Sequence, residues 1–517
     1  MGLADRLIVN TLSSCGLFAV RFFVSFFLAA YVLGSLGGER YGVFVLLEAM
    51  VSTLAILDLA GVEGSFVHFL AAGHAAGDRA AVNRVLTLGF VYYLLFQLFL
   101  AVLILLLHRP LLHLFHFDGE ITGEIFFVLG GLLFISVVRG SFRVFRSALI
   151  GMQRLDIANR IDLILLIPNV VATVWLLDAG YGLRGLVLVG CLTALLTVAL
   201  HLASTLRLAP WIRPGRPSLA MIRNLGAYGL KVQAARMAEM LNMQLDKLLI
   251  GALLPGAGKT LVGFYELGAK PARVIRDLPS QLLPAILPAA SLLDAGNRRD
   301  AMLLLYRRGS RYLILCTVPL VGFCCLHGDL LIRFWLGAGY PEVVSALRIL
   351  VVGYACTVLS GMGRLIARGC GLPDFEMHSS LAATAANLAC SAVLILLFGF
   401  RGALFGSAVA AAVGALWFLT AFHRHLGEPF WRQTAAALYP MPLLATGLAL
   451  AASLLPVPAP AGDGRMATGL LLCGRGLVFA AVYLFFLKTI RYFDQADSQL
   501  LGRGFALLRR AHLEEPS

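Results

Sequence analysis

Long apolar runs separated by short polar stretches fill this chain from end to end. About fourteen runs are long enough to cross a bilayer, near 10–35, 41–70, 83–107, 122–149, 157–178, 184–206, 224–253, 261–290, 308–327, 343–368, 375–398, 402–422, 435–455 and 469–488. A helix rising 1.5 Å per residue needs ~20 residues to span ~30 Å of hydrocarbon. Barrel strands are shorter and alternate, so the pattern predicts an all-α polytopic membrane protein. The first run carries Arg21 in its middle, which the apolar core of a signal peptide does not.

Part of the pattern occurs twice. Arg146, Gly151, Asp156 and Asn169 are matched by Arg364, Gly369, Asp374 and Asn387, each 218 positions later. Gly182-Leu-Arg-Gly185 is matched by Gly399-Phe-Arg-Gly402 at a spacing of 217. The repeat predicts two pseudo-symmetric six-helix lobes, 1–207 and 224–425, joined by a linker at 208–223 that holds Pro210, Pro214 and Pro217. Two additional helices within 426–490 and a tail at 491–517 lie outside it. Gly402, Gly406, Ala410 and Gly414, at four-residue spacing, permit close helix contact.

Composition agrees. Of 517 residues 59% are hydrophobic and 14% charged, against about 25% charged in a soluble domain. Basic residues concentrate in alternate loops: Arg79 and Arg84, then Arg207, Arg213 and Arg216, then Arg298 and Arg299, then Arg424 and Arg432, then the tail. The positive-inside rule makes those loops cytoplasmic and, with an even helix count, both termini as well. The net charge of +14 therefore needs no nucleic-acid partner. The nine cysteines sit mostly in apolar runs without metal-ligand spacing, and His108, His113 and His116 share a loop without ligand grammar. Gly256-Ala-Gly-Lys-Thr260 imitates the end of a phosphate loop, but Leu253 stands where that loop needs glycine and no strand precedes it. No loop is long enough to hold a catalytic domain. Neither an enzyme nor a cofactor is expected.

Chemistry is carried by charges inside the runs, each costing ~2.5–3.5 kcal/mol on insertion scales unless it faces protein or water. Arg21 is in the first run, Asp58 and Glu63 in the second, and Arg139, Arg143 and Arg146 in the fourth, spaced for one helix face. The seventh holds Lys231, Arg236, Glu239, Asp246 and Lys247, the eighth Glu266, Lys270, Arg273, Arg276 and Asp277, and the tenth Arg364 and Arg368. Arg146, Arg364 and Arg368 are near run ends and can snorkel to headgroups. Arg236 with Glu239, and Arg273 with Asp277, are spaced for internal ion pairs, and Asp58 can cap a helix break. Cations outnumber anions, and a guanidinium fork suits phosphate oxygens. The expected substrate-binding cations are Arg21, Arg139, Arg143, Arg236, Lys270, Arg273, Arg276 and Arg364.

Several short motifs follow in order: Tyr41-Gly42, Asp58-Leu-Ala-Gly61, Gly151-Met-Gln-Arg154 with Asn159, Asp246-Lys-Leu-Leu-Ile-Gly251, Gly263-Phe-Tyr265 and Pro284-Ala-Ile-Leu-Pro288. With Asn387 and the two Gly-x-Arg-Gly segments, they make the chain resemble the polysaccharide transporter branch of the MOP (multidrug/oligosaccharidyl-lipid/polysaccharide) flippase superfamily. The resemblance implies two lobes around a V-shaped cavity. It also implies transfer of a polyprenyl-pyrophosphate-linked oligosaccharide from the inner to the outer leaflet of the bacterial cytoplasmic membrane by alternating access. It assigns the pyrophosphate to a cationic cavity, with Arg21 and Arg273 or Arg276 as best matches. Asp246 and Asn387, with Asp58 and Glu239 as further candidates, fall where relatives bind a coupling cation. Implied partners are the lipid-linked oligosaccharide, membrane lipids, a polysaccharide polymerase and a chain-length regulator. A lipid II flippase of the same fold is the alternative. A cation-coupled multidrug exporter fits less well, because its cavity would favour acidic residues.

Overall fold

Among the described residues every regular element is an α-helix, as a backbone without water to bond requires. The computed structural model describes residues 3–55, 63–117, 122–152, 154–216, 237–238, 240–277, 283–427, 440–455 and 464–492. Helices α1 (Leu3–Leu36), α2 (Gly38–Ala55), α3 (Glu63–Ala75), α4 (Arg79–Leu114), α5 (Thr122–Ser141), α6 (Arg143–Gly151), α7 (Leu155–Ile164), α8 (Leu166–Asp178) and α9 (Gly182–Leu208) come first. Residues 240–253 form α10. Then come α11 (Gly258–Asp277), α12 (Leu283–Ala295), α13 (Arg299–Leu336), α14 (Pro341–Gly369), α15 (Asp374–Phe398) and α16 (Phe400–Leu426). The last two are α17 (Pro440–Ser453) and α18 (Arg465–Thr489).

Ten of these stretches are long and apolar enough to cross a membrane, and Pro440–Ser453 is a shorter apolar helix. Among the described residues the count of fourteen is therefore not confirmed. The four expected spans that fall short, 41–70, 224–253, 261–290 and 435–455, each include residues outside the description. Within 261–290 there is also a chemical reason, because α11 carries five charged side chains from Glu266 to Asp277.

The chain divides into two compact units, one of residues Leu28–Gly263 and the other of Met1–Phe27 with Phe264–Ser517. We call them the N-terminal and C-terminal units. The expected lobe boundary at 208–223 falls partly outside the described residues.

The repeat has a structural meaning inside each unit. Gly151 ends α6 and Gly369 ends α14. A β-carbon on Gly151 would lie 3.0 Å from Leu70 Cβ in α3, and one on Gly369 would lie 2.6 Å from Ala290 Cβ in α12. Leu70 and Ala290 are 220 positions apart, so the matched glycines let equivalent helices touch. Gly182 and Gly399 both turn the chain at positive φ, +55° and +58°, where only glycine is unstrained. Other motif residues also mark close approaches. Gly42 would carry its β-carbon 1.8 Å from the Lys259 carbonyl, and Gly263 lies against Tyr41 and Gly42. Along α16, Gly402, Gly406 and Gly414 meet Leu394, Ser391 and Ala383 of α15. In lipid, where burial of apolar surface gives little drive, such contact is what holds helices together.

In the C-terminal unit α1 is anchored by Phe26. Its ring stacks on Trp335 of α13 at 3.8 Å and its carbonyl accepts from Trp335 Nε1 at 2.8 Å. A Gly369→Leu substitution should force α12 and α14 apart, costing roughly 1–3 kcal/mol. A thermal melt of the detergent-purified protein should show a clear drop for that variant and little change for Gly371→Asn, at a left-handed position with no neighbour within 4 Å.

Candidate functional site

Helix α11 gathers the largest set of predicted cations. Lys270, Arg273 and Arg276 recur at three-residue intervals, which keeps them on adjoining faces of one helix. Arg273 Nη2 meets Glu266 Oε2 at 2.5 Å, with the two side chains 25% and 13% exposed. Arg276 Nε meets Asp277 Oδ1 at 2.9 Å, and its guanidinium lies 5.3 Å from the centre of the Tyr354 ring on α14. Lys270 Nζ donates to the Ser25 carbonyl of α1 at 3.1 Å. That carbonyl is one turn from Arg21, itself half-buried on α1. Three cations against two carboxylates leave this stretch of α11 with one net positive charge, beside the further charge of Arg21.

The pairing differs from the expected Arg273–Asp277 bridge. Glu266 sits two turns before Arg273, close to the same angular position on the helix, while Asp277 is taken by its neighbour Arg276. Both arginines therefore have carboxylate partners on their own helix.

The other predicted cations are distributed. Arg139 and Arg143 belong to the N-terminal unit, on either side of the one turn residue, Phe142, that separates α5 from α6. There the N–H of Phe145 turns to the Phe142 carbonyl, three residues back, at 3.1 Å. Arg139 is exposed, with Glu48 and Asp162 as the carboxylates whose fields reach it. Arg143, also exposed, lies 5.7 Å from the Tyr93 ring centre. In the C-terminal unit Arg364 donates to Ser360 Oγ at 3.1 Å and Ser379 Oγ at 2.9 Å, over the Phe418 ring. These contacts tie α14 to α15 and α16.

Of the coupling-ion candidates, Asp246 is buried on α10 beside buried Lys247, in the N-terminal unit. Asn387 is buried on α15 in the C-terminal unit and accepts from Ser391 Oγ at 2.5 Å. Asp58, Arg236 and Glu239 lie outside the described residues. No group of three or more His, Cys, Asp or Glu side chains suited to a metal ion occurs among the described residues.

One cluster went unread in the sequence. Asp162 of α7 lies 4.0 Å from Arg146 and 3.9 Å from His201 of α9, which is buried. A carboxylate in the fifth span and a histidine in the sixth were the available signal, but they are 39 residues apart and only packing brings them together.

Comparison with known proteins adds the following. A family model described as polysaccharide biosynthesis protein matches residues 36–345. No curated protein matches the chain. Among solved structures, an inward-facing multidrug resistance MATE family transporter of the MOP superfamily is similar with a TM-score of 0.64 at 14% identity, over 78% of this chain and 94% of that one. The lipid II flippase MurJ in an inward closed conformation is similar at 0.62 and 14% identity, over 92% of this chain and 98% of that one. An outward-facing MATE family transporter reaches 0.55 at 16% identity, over 82% and 96%. At these identities the likeness concerns the fold.

The Arg273–Glu266 pair generates a test of its strength. A double-mutant cycle with Glu266→Gln and Arg273→Gln, read by thermal or denaturant unfolding, should give a coupling energy above the ~0.2–1 kcal/mol of exposed pairs. A coupling near zero would mean that the pair is no stronger than a surface contact.

Proposed function

Because this chain belongs to the polysaccharide biosynthesis protein family of the MOP superfamily, we propose that it is a flippase. Its substrate is a polyprenyl-pyrophosphate-linked oligosaccharide, an O-antigen or exopolysaccharide repeat unit. It carries this lipid from the inner to the outer leaflet of the bacterial cytoplasmic membrane by alternating access, with both of its termini on the cytoplasmic side. The observation that carries this reading is the cationic face of α11 and α1 in the C-terminal unit, with Lys270, Arg273, Arg276 and Arg21.

A pyrophosphate brings two or more negative charges and several acceptor oxygens. Arg273 and Arg276 present planar forks to such oxygens, and Lys270 adds a point charge. Glu266 and Asp277 hold the forks in place until the head group arrives. They also limit how tightly it stays, as a carrier that must release its load requires. The membrane potential adds about 2.3 kcal/mol per charge per 100 mV, and an inside-negative potential drives an anion outward. No nucleotide is needed for that direction. The polymerase and chain-length regulator that use the flipped repeat are the proposed partners.

The lipid II flippase remains the second reading, since its fold extends over 92% of this chain against 78% for the inward-facing multidrug transporter. The excess of cations on α11 favours an anionic, lipid-linked cargo over a drug.

Arg21→Ala should abolish surface polysaccharide while membrane levels of the protein stay near wild type. Undiminished polysaccharide would remove Arg21 from the site. Arg273→Lys should retain more transport than Arg273→Ala if positive potential is what the head group needs. Equal losses, at equal protein levels, would mean that the two-pronged geometry of arginine is required.

A further inference from the structure

Helix α18, outside the repeat, carries an arginine within its apolar stretch. Arg475 is ten residues, ~15 Å, from Arg465 at one end and fourteen, ~21 Å, from Thr489 at the other. The residue is half-buried, and its Nε is shut off from solvent with no hydrogen-bond partner. Among the described residues its guanidinium makes no hydrogen bond and no ion pair. Arg273, Arg276, Arg364 and Arg368, by contrast, all have acceptors. An unpaired charge at such depth is costly, so it needs an acceptor from outside the chain.

The surroundings offer Arg475 no carboxylate of its own. Beside it, a β-carbon on Gly476 would lie 3.7 Å from the Phe323 ring of α13, which packs against Phe479 and His327. The charges whose fields reach buried His327 are Arg475 and Asp329. Asp329 is taken by Arg348 of α14 at 3.4 Å. Two cations against one carboxylate leave this corner of the C-terminal unit positive.

The end of α17 shows how deep polar surroundings reach. Ser453, its last residue, accepts from His327 Nε2 at 2.9 Å while donating to the Leu450 carbonyl at 2.7 Å. His327 is nine residues, ~13 Å, short of Leu336, whose carbonyl meets Arg465 at the start of α18. The chain thus leaves α17 at the level of Arg475, about two and a half turns below the adjoining ends of α13 and α18. Leu454 and Leu455, just past that point, are non-helical and exposed. Hydrocarbon does not tolerate exposed irregular backbone, so water or lipid head groups come down to this level.

We propose that Arg475 binds the phosphate of a membrane lipid with a net negative head group. The guanidinium offers a fork to phosphate oxygens, and its side chain leans toward the N-terminal end of α18, from which the head groups descend. Leu471 and Val478, one turn to either side of Arg475, are half-buried and give the lipid chains an apolar flank. The site shares no residue with the α1–α11 face and does not depend on which cargo that face carries.

Full-length protein is released from phosphatidylcholine nanodiscs with and without phosphatidylglycerol, and native mass spectrometry counts the lipids that stay bound. Wild type should retain phosphatidylglycerol in preference to phosphatidylcholine. Arg475→Gln should bind it at least about tenfold more weakly, with Arg475→Lys in between. Because Arg475 has no protein partner to lose, Arg475→Gln should melt no lower than wild type in lipid-free neutral detergent. A wild type without that preference, or a preference that Arg475→Gln leaves intact, would overturn the proposal. A clear drop in lipid-free melting of Arg475→Gln would do the same, by assigning the arginine to the fold. So would a second copy of the chain retained in place of lipid and lost in that variant.

Discussion

A guanidinium taken into hydrocarbon loses its water and must find acceptors in protein, and much of this structure follows from that constraint. Arg146 turns to Asp162, Arg273 to Glu266, Arg276 to Asp277, and Arg368 to both oxygens of Glu376. Arg364 settles on two serine hydroxyls and an aromatic face. Some of these contacts fasten one helix to the next. Others, on α11, stay within a single helix. The distinction is one of packing, because a pair within one helix holds no second helix in place.

The second constraint is the close approach of backbones. Helices in lipid are held by contact, so they need small residues where they cross. Gly42 against Lys259, Gly151 against Leu70, Gly369 against Ala290 and Gly402 against Leu394 are such crossings. Three of these glycines belong to the repeat and the fourth to the Tyr41-Gly42 motif. Short motifs of glycine that look weak singly thus record where this chain's helices touch.

The site was partly legible. The sequence placed Lys270, Arg273 and Arg276 in one apolar run, and the structure adds that Lys270 reaches the α1 backbone one turn from Arg21. The pairing on α11 was not legible, since Glu266 and Asp277 both stand at helical spacing from Arg273 and only rotamers and neighbours choose between them. The turn at Phe142 between Arg139 and Arg143 follows Gly140-Ser141, a small-residue pair of the kind at which helices kink, but spacing alone does not say that this one does. The contacts of Asp162 with His201 and of Arg276 with Tyr354 join residues far apart in the chain. Periodicity cannot report such contacts.

By itself the sequence determined that this chain crosses a membrane many times as helices, that it contains a duplicated unit, and that the charges within its apolar runs are mainly positive. Those properties are local. They depend on runs of about 20 residues and on the cost of unpaired polar groups in lipid. The tertiary structure alone decided which carboxylate each arginine takes and where helices turn. Those outcomes depend on distances between residues from separate helices, which apolar patterning leaves open.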